Sequence, residues 1–252
     1  MTTGFAIYPS LKDAVVLVTG GASGIGAEIV KAAHGQLARV AFLDMLQREG
    51  QELASTLPRS QFIQCDVTDT AATSRAVAQV REKFGPIGVL VNNAANDDRC
   101  SPADVTPEYW DRSMNVNLKH QFFLAQQVHP HMKELGGGSM INFSTIAWRY
   151  GSDAMIAYAT AKSAVIGLTR ALSRNYGMDN IRVNAIEPGA VMTEKQKRIW
   201  YPRQDQVDAI VSRQRIQRVL EPEEIARTVL FLASEDSRMI TGQTIIVDAG
   251  MS

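Results

Sequence analysis

The chain has 252 residues, of which 45% are hydrophobic and 21% are charged, a balance typical of a globular domain and not of a disordered or fibrous protein. Its 26 basic residues equal its 26 acidic ones, so no net charge attracts nucleic acid or an anionic membrane surface. We therefore expect neither nucleic acid nor a membrane as a partner.

Seven short runs rich in Val and Ile predict β-strands along the chain. Most are nearly all apolar, which is the pattern of strands covered on both faces, and helical segments separate the first six. With no linker or repeat dividing residues 1–252, we predict a single α/β domain: a Rossmann-type, doubly wound, parallel seven-stranded sheet with helices on both faces. The predicted strands are 14–19, 39–44, 61–66, 88–92, 139–143, 182–186 and 244–247.

The first strand runs directly into a glycine-rich loop, which a helical pattern follows. Glycines permit a tight turn, successive amides at the helix start can hold a pyrophosphate, and Gly26 lets the helix pack close to the strand. A glycine loop alone is equally a plain strand-to-helix turn, but the order of strand, loop and helix favours dinucleotide binding. The candidates in this loop are Gly20, Ser23, Gly24, Ile25 and Gly26.

Acidic residues close the second and third strands. Asp44 lies about 20 residues after the loop, where a carboxylate accepts hydrogen bonds from the adenosine ribose hydroxyls and repels a phosphate placed on them. This position favours NAD over NADP. Asp66 either accepts a hydrogen bond from the adenine amino group or caps the helix that starts near Asp69, and the sequence does not choose between these roles.

Tyr158 and Lys162 are four residues apart in a segment of helical periodicity, so their side chains share one helix face. A nearby ammonium favours the phenolate and is expected to lower the tyrosine pKa from its usual ~10 toward values useful for a base. Taken alone, such a pair is more often a tyrosine at the edge of the core and a solvated lysine than a catalytic pair. Ser144, which ends the fifth strand, can bind the same substrate oxygen, and Asn117 can hold a water that links the lysine to bulk solvent.

Residues 190–218 form one long stretch without clear periodicity, rich in lysine and arginine. They fit a solvated, partly helical surface insertion and a substrate lid equally well, because long loops in compact domains often serve as lids.

The two cysteines, Cys65 and Cys100, lack CxxC spacing and a nearby histidine cluster, so we expect neither a disulfide framework nor a metal site. The N-terminus has no positive flank followed by an apolar run, and no later apolar stretch is long enough to span a membrane. Together these features predict a cytoplasmic location.

A series of motifs covers essentially the whole chain in order: TGGASGIG at 19–26, NNAA at 92–95, Asn117, Ser144, Tyr158-x-x-x-Lys162, and Pro188-Gly189 followed by Thr193. The series resembles that of the short-chain dehydrogenase/reductase family. Two positions depart from the family pattern: Ala95 replaces a usual glycine, and Leu37 stands where a turn glycine commonly precedes the second strand. Both departures affect the expected local backbone geometry and neither affects the chemistry.

The resemblance implies roles for the motif residues. Ser144, Tyr158 and Lys162 would be catalytic, Asn117 would relay protons and Asn92 would brace the central strand. Helices near 107–133 and 153–176 resemble the pair that usually builds a homotetramer. The implied cofactor contacts are Gly20, Ser23, Gly24, Ile25, Gly26, Asp44, Asp66, Val67, Asn92, Ala94, Tyr158, Lys162, Pro188, Gly189, Val191 and Thr193.

Polar residues surround the expected substrate position and suit a polyhydroxylated ring. The substrate-binding candidates are Asn96, Ser144, Trp148, Tyr158 and Glu187. The segments NNAANDDR, INFSTIAWRYG and EKQKRIWYP resemble those of bacterial aldose dehydrogenases of this family, such as the enzymes for D-xylose, L-arabinose or D-galactose. This resemblance implies NAD-dependent oxidation of an aldopyranose at the anomeric carbon to the aldonolactone.

Three alternatives remain open. A reductase of 3-oxoacyl thioesters shares nearly every motif, but it would favour NADPH, which Asp44 opposes. A dehydrogenase of a steroid or another apolar alcohol would need an apolar lid. A dinucleotide-binding regulator without turnover is expected to lack Tyr158 or Lys162, and both are present.

Overall fold

The computed structural model describes residues 6–151 and 153–252, and these contain seven β-strands. The strands are β1 (Val15–Thr19), β2 (Arg39–Asp44), β3 (Ser60–Gln64), β4 (Val89–Asn92), β5 (Gly138–Phe143), β6 (Ile181–Pro188) and β7 (Thr244–Val247). All are parallel and form one sheet in the order β3-β2-β1-β4-β5-β6-β7. The predicted fold class, a Rossmann-type α/β sheet, is confirmed.

Helices connect the strands and cover the sheet. Within the same described ranges they are α1 (Gly24–Gly35), α2 (Gln47–Thr56), α3 (Thr70–Phe84), α4 (Pro107–Met114), α5 (His120–Glu134), α6 (Ala147–Tyr150), α7 (Ile156–Tyr176), α8 (Glu194–Ile199), α9 (Gln204–Val211) and α10 (Pro222–Ala233). The helix expected near 107–133 is divided, because a π-helical turn at Asn115–Lys119 joins α4 to α5.

The residues of β1 show why the strands are nearly all apolar. Val16 and Val18 pack into the core beneath α1 and α10, whereas Val15 and Leu17 pack into the core beneath α3 and α5. Successive side chains of a strand point to opposite faces, so a strand with a helix layer on each side needs apolar residues at every position.

Two strand ends differ from those predicted by two residues, and five strand starts differ by one residue. The third strand ends at Gln64, two residues before the predicted end at Asp66. The Cys65 amide still donates to the Asp44 carbonyl at 2.9 Å, but the chain then turns, because the Asp66 carboxylate accepts from the backbone amide of Thr68. The sixth strand continues to Pro188, where it pairs with Val247 of β7.

Leu37 adopts the left-handed backbone conformation that favours glycine, with φ of 64°. Leu37 is 52% exposed, and the departure from the family pattern costs a local strain of about 1–2 kcal/mol.

The sheet order also fixes where a ligand can bind. From β1 the chain proceeds to β2 on one side, and later strands from β4 onward are added on the other side. The connections therefore diverge at the carboxyl ends of β1 and β4, and this divergence opens the crevice in which doubly wound sheets bind their ligands.

Candidate active site

A cavity of about 820 Å³ lies at the carboxyl ends of the strands. The predicted cofactor contacts line this cavity with two exceptions, Gly24 and Asn92, and the catalytic candidate Ser144 lines it as well. Four other predicted site residues are not among its lining residues: Asn96, Asn117, Trp148 and Glu187.

The glycine loop is held at the end of β2 and is tightly packed at Gly26. The Gly20 amide donates to the carbonyl of Leu43 at 2.7 Å, which joins the loop to β2. A Cβ added to Gly26 would lie 1.8 Å from the Gly20 carbonyl oxygen, so no other residue fits there without moving the backbone. The absence of a side chain lets α1 begin directly against the loop, with its free amides toward the cavity.

Asn93 and Thr19 fix this loop and were not identified from the sequence. The Asn93 amide nitrogen Nδ2 donates to the carbonyls of Thr19 at 2.9 Å and Gly20 at 3.0 Å. The Thr19 hydroxyl in turn accepts from the backbone amides of Asn93 and Ala94, each at 3.0 Å. The sequence signal for this role is the second asparagine of the NNAA motif.

Asp44, which ends β2, and Asp66, two residues after the end of β3, both line the cavity. The Asp44 carboxylate accepts from the backbone amides of Ala22 at 3.0 Å and Leu46 at 3.1 Å, so its position is fixed. Asp69, and not Asp66, caps α3, whereas Asp66 lines the cavity, and its hydrogen bond with the adenine amino group stays a prediction. The glycine cradle and these carboxylates fit the phosphates, ribose and adenine of a nicotinamide dinucleotide.

Ser144, Tyr158 and Lys162 converge on one wall of the cavity. The Ser144 hydroxyl, at the end of β5, donates to the Lys162 carbonyl at 2.7 Å, which ties the strand to α7. The Lys162 Nζ donates to the Phe143 carbonyl at 2.8 Å and lies 5.8 Å from the centre of the Tyr158 ring. The three predicted catalytic residues thus line one cavity, and their catalytic roles stay predictions.

The electrostatics of this wall differ from the expectation. Burial raises the pKa of the Tyr158 hydroxyl above its ordinary value, and the Asp97 carboxylate raises it further, while a hydrogen bond with Thr145 opposes both. Burial also lowers the pKa of the Lys162 ammonium to about 7. Desolvation disfavours the charged form of each group, and it outweighs the expected lowering by the neighbouring ammonium. The base strength of Tyr158 therefore depends strongly on the other charges that face it.

Asn117 lies in the π-helical turn, and its side chain is already bonded. Its Oδ1 accepts from the Asn96 amide at 2.9 Å, and its Nδ2 donates to the Asn96 carbonyl at 3.0 Å. These bonds fix the loop after β4, and the proton-relay role of Asn117 stays a prediction. Asn92 braces the sheet, since its Nδ2 donates to Oδ1 of Asn142 on β5 at 2.9 Å.

Glu187 was predicted to bind substrate, but its side chain is fully buried. One carboxylate oxygen accepts from Nε1 of Trp148 at 2.8 Å and the other from Nε of Arg149 at 2.7 Å. Since a buried carboxylate needs such partners, Glu187 and Trp148 are directed to each other and join α6 to the end of β6. Tyr150, the last residue of α6, lines the cavity in their place.

Residues 190–218 are partly helical, containing α8 and α9, and several of them line the cavity. Thr193 caps α8 by accepting from the Gln196 amide at 3.2 Å. Further cavity-lining residues outside the predicted site come from this segment and from other parts of the chain. Among them are Asp97, Arg99, Tyr150, Asp153, Met155, Lys195, Gln196, Tyr201, Ile210 and Arg213.

Two further properties bear on the candidate functions. Within residues 6–151 and 153–252, no helix combines the length and apolar character needed to cross a membrane. The same described residues contain no group of three or more His, Cys, Asp or Glu side chains placed to hold a metal ion.

Comparison with known proteins gives matches along the chain. A family model described as enoyl-(acyl carrier protein) reductase matches residues 20–252. A probable galactose dehydrogenase of Rhizobium meliloti is 44% identical, with both chains covered in full. A D-xylose 1-dehydrogenase of Caulobacter vibrioides is 43% identical over 97% of this chain and 98% of its own. An NAD-dependent glycerol dehydrogenase of Listeria innocua is 32% identical over 96% of this chain and 94% of its own.

Proposed function

The chain belongs to the short-chain dehydrogenase/reductase family of oxidoreductases, and from this premise we propose that it oxidises an aldopyranose at the anomeric carbon to the aldonolactone. The observation that carries the proposal is the convergence of Ser144, Tyr158 and Lys162 in one cavity, in a chain similar along its whole length to dehydrogenases named for galactose and D-xylose.

In the proposed reaction Tyr158 accepts the proton of the anomeric hydroxyl. Its phenolate is the base, and the Lys162 ammonium close to the ring stabilises the negative charge. The Ser144 hydroxyl exchanges its bond to the Lys162 carbonyl for one to the substrate oxygen, which holds that oxygen near the base. A nicotinamide dinucleotide, when bound, would accept the hydride that leaves the anomeric carbon.

We propose NAD as the physiological cofactor. The Asp44 carboxylate lines the cavity, and two backbone amides fix it in place, so it cannot easily move away from a phosphate on the adenosine ribose. A fixed negative charge repels that phosphate and accepts hydrogen bonds from free ribose hydroxyls. The similarity to an NAD-dependent glycerol dehydrogenase supports the same choice.

We further propose a cytoplasmic homotetramer in which residues 190–218 act as the substrate lid. The helices α5 and α7 each expose a large apolar side chain, Phe122 and Ile156, on the surfaces that the family resemblance assigns to subunit contacts. Both cysteines are free thiols, as expected in a reducing compartment.

The test is a comparison of substrates at matched concentrations. Rates of NAD and NADP reduction are measured with D-galactose, D-xylose, L-arabinose, an acyclic polyol and an apolar secondary alcohol, and the lactone is identified by NMR. The rate of NADPH oxidation is measured with a 3-oxoacyl thioester. A 1,5-anhydro alditol serves as the control, because it retains the ring but lacks the anomeric hydroxyl, and it should inhibit without being oxidised there. We expect aldose oxidation with NAD. Activity confined to apolar alcohols, or to 3-oxoacyl thioesters with NADPH, would reject the proposal.

A further inference from the structure

Residues 248–252, which follow β7, turn back on themselves around one buried carboxylate. Asp248 is only 5% exposed, and its Oδ1 accepts from the Gly250 amide at 2.8 Å. Its Oδ2 accepts from both the amide and the hydroxyl of Ser252, each at 2.7 Å. Ala249 and Gly250 adopt the left-handed conformation, with φ of 58° and 76°, and so reverse the chain. We call residues 248–252 the Asp248 hook.

The Asp248 hook is also bonded to the segment 190–218, which supplies part of the cavity wall. The Ala249 carbonyl accepts from the amides of Arg215 at 2.8 Å and Ile216 at 3.1 Å. Gly250 packs so closely on Arg215 that an added Cβ would lie 2.8 Å from Cγ of that arginine. The hook is therefore held from two sides, by its own carboxylate and by the segment beside it.

Met251 is the hook residue that lines the cavity. It follows β7, at the opposite edge of the sheet from β3, whereas the acidic residues expected to bind the adenosine, Asp44 and Asp66, lie at the ends of β2 and β3. Met251 therefore belongs to the substrate end of the cavity, which Ile210 and Arg213 line as well.

The chemistry of methionine suits selection by size. The half-buried Met251 side chain is apolar, and its thioether is at most a weak acceptor. It cannot distinguish the configurations of ring hydroxyls, because this needs fixed hydrogen-bond partners, but its volume limits the group beside it. Pocket contacts of this kind distinguish substrates that differ by one methylene about tenfold or more.

Aldopyranoses vary in size at one ring position. The carbon before the ring oxygen carries two hydrogens in an aldopentose and a hydroxymethyl group in an aldohexose, whereas the other ring carbons carry groups of equal size. A side chain that selects by volume therefore acts at this carbon.

We propose that Met251 determines the size of the group accepted at this carbon, and that Asp248 is the positioning residue that holds Met251 in the wall. The inference deepens the proposed function and rests on it, because it assumes that the cavity binds an aldopyranose.

The test uses D-galactose and L-arabinose, which share their ring configuration and differ by the hydroxymethyl group alone. Met251→Ala removes most of the side chain, so the ratio of kcat/KM for D-galactose to kcat/KM for L-arabinose should rise about tenfold. Met251→Trp adds volume at the same place, so this ratio should fall. A residue with a purely structural role would change both values together and leave the ratio constant.

Asp248→Ala tests the positioning role. Alanine retains the Cα and Cβ atoms that pack against Gly189, where an added Cβ would lie 2.8 Å from the Asp248 Cα, so the predicted nicotinamide contact is preserved. The variant loses the three hydrogen bonds of the hook and should raise the ratio as Met251→Ala does. Adding Met251→Ala to it should raise the ratio no further, because the methionine is already displaced. Dinucleotide affinity, measured by calorimetry without sugar, should stay close to that of the wild type.

Met178→Ala is the matched control. Met178 is 94% exposed and does not line the cavity, so its truncation should leave the ratio at the wild-type value.

Opposite shifts of the ratio in Met251→Ala and Met251→Trp, with no additivity between Asp248→Ala and Met251→Ala, support the inference. A constant ratio, shifts in the same direction, or full additivity overturns it. Failure of the proposed function is seen separately, as a wild-type protein that oxidises neither sugar. The size limit is then measured on two alcohols of the oxidised class that differ by one carbon.

Discussion

The nucleotide end and the substrate end of the cavity are built in different ways. At the nucleotide end, one continuous stretch at 20–26 supplies a cradle of backbone atoms, and its key feature is the space left by Gly26. At the substrate end, the walls are joined by side chains from distant parts of the chain. Asp97 bonds Trp200, 103 residues away, and Trp148 bonds Glu187, 39 residues away.

The two ends therefore differ in the substitutions that they tolerate. A backbone cradle contacts the part of the ligand that all members of the family share, so any added atom disturbs it. A wall of paired side chains can be altered pair by pair, which changes the substrate while the sheet and the cofactor site persist. Substitutions at the two ends should therefore separate substrate affinity from cofactor affinity.

The largest expected effect is at the point where the two ends meet. Tyr158→Phe keeps the ring but removes the group that accepts the proton, so we expect kcat to fall by about 100- to 10,000-fold. Dinucleotide affinity, measured by calorimetry, should change little because the aromatic ring still fills its place. Turnover within tenfold of the wild type would remove Tyr158 from the mechanism.

Gly26→Ala tests the backbone cradle. The new Cβ would lie 1.8 Å from the Gly20 oxygen, so we expect destabilisation of about 3 kcal/mol or more together with loss of dinucleotide binding. Gly35→Ala at the other end of α1 is the control, since no atom lies within 4 Å of its added Cβ, and its stability should stay within about 1 kcal/mol of the wild type. Denaturant unfolding measures the free energy of unfolding of both variants. Equal values for the two would contradict the proposed role of Gly26 in the backbone cradle.

Glu187→Ala tests the paired wall. It removes the shared partner of Trp148 and Arg149, and we expect a cost of about 2 kcal/mol, below that of a fully buried pair because Arg149 is 35% exposed. Loss of the bond that fixes α6 should raise the KM of the sugar about tenfold, because Tyr150 moves. Glu187→Gln, which retains an acceptor for Trp148, should be milder. An equal loss of cofactor affinity would show that the two ends are not separable.

The smallest expected effect concerns the choice between the two dinucleotides. Asp44→Ala removes the charge that repels the additional phosphate and the acceptor for ribose hydroxyls, so the preference for NAD over NADP should narrow by about tenfold. The ratio of the kcat/KM values for NAD and NADP measures this preference. If the wild-type protein already prefers NADP, the proposed role of Asp44 is wrong.

Local features could be predicted from the sequence. The seven strands and the glycine loop before α1 were predicted, because each depends on periodicity or spacing within a short segment. Ser144, Tyr158 and Lys162 were expected at one site, and all three line the cavity. The strand end at Asp66 was misplaced by two residues, since the turn there depends on a side-chain bond to Thr68 that strand propensity does not report.

By itself the sequence predicted the sheet, the edge of it at which a ligand is expected, and a catalytic role for Ser144, Tyr158 and Lys162, which stays a prediction although all three line the cavity. Only the tertiary structure decided that Glu187 joins α6 to β6 instead of facing substrate, that Asp97 bonds residues 195–200, and that the pKa of Tyr158 is raised and not lowered. Strand and helix patterns arise from neighbours in the chain, whereas desolvation and ion pairing depend on which distant groups folding brings together and how much water it removes from them.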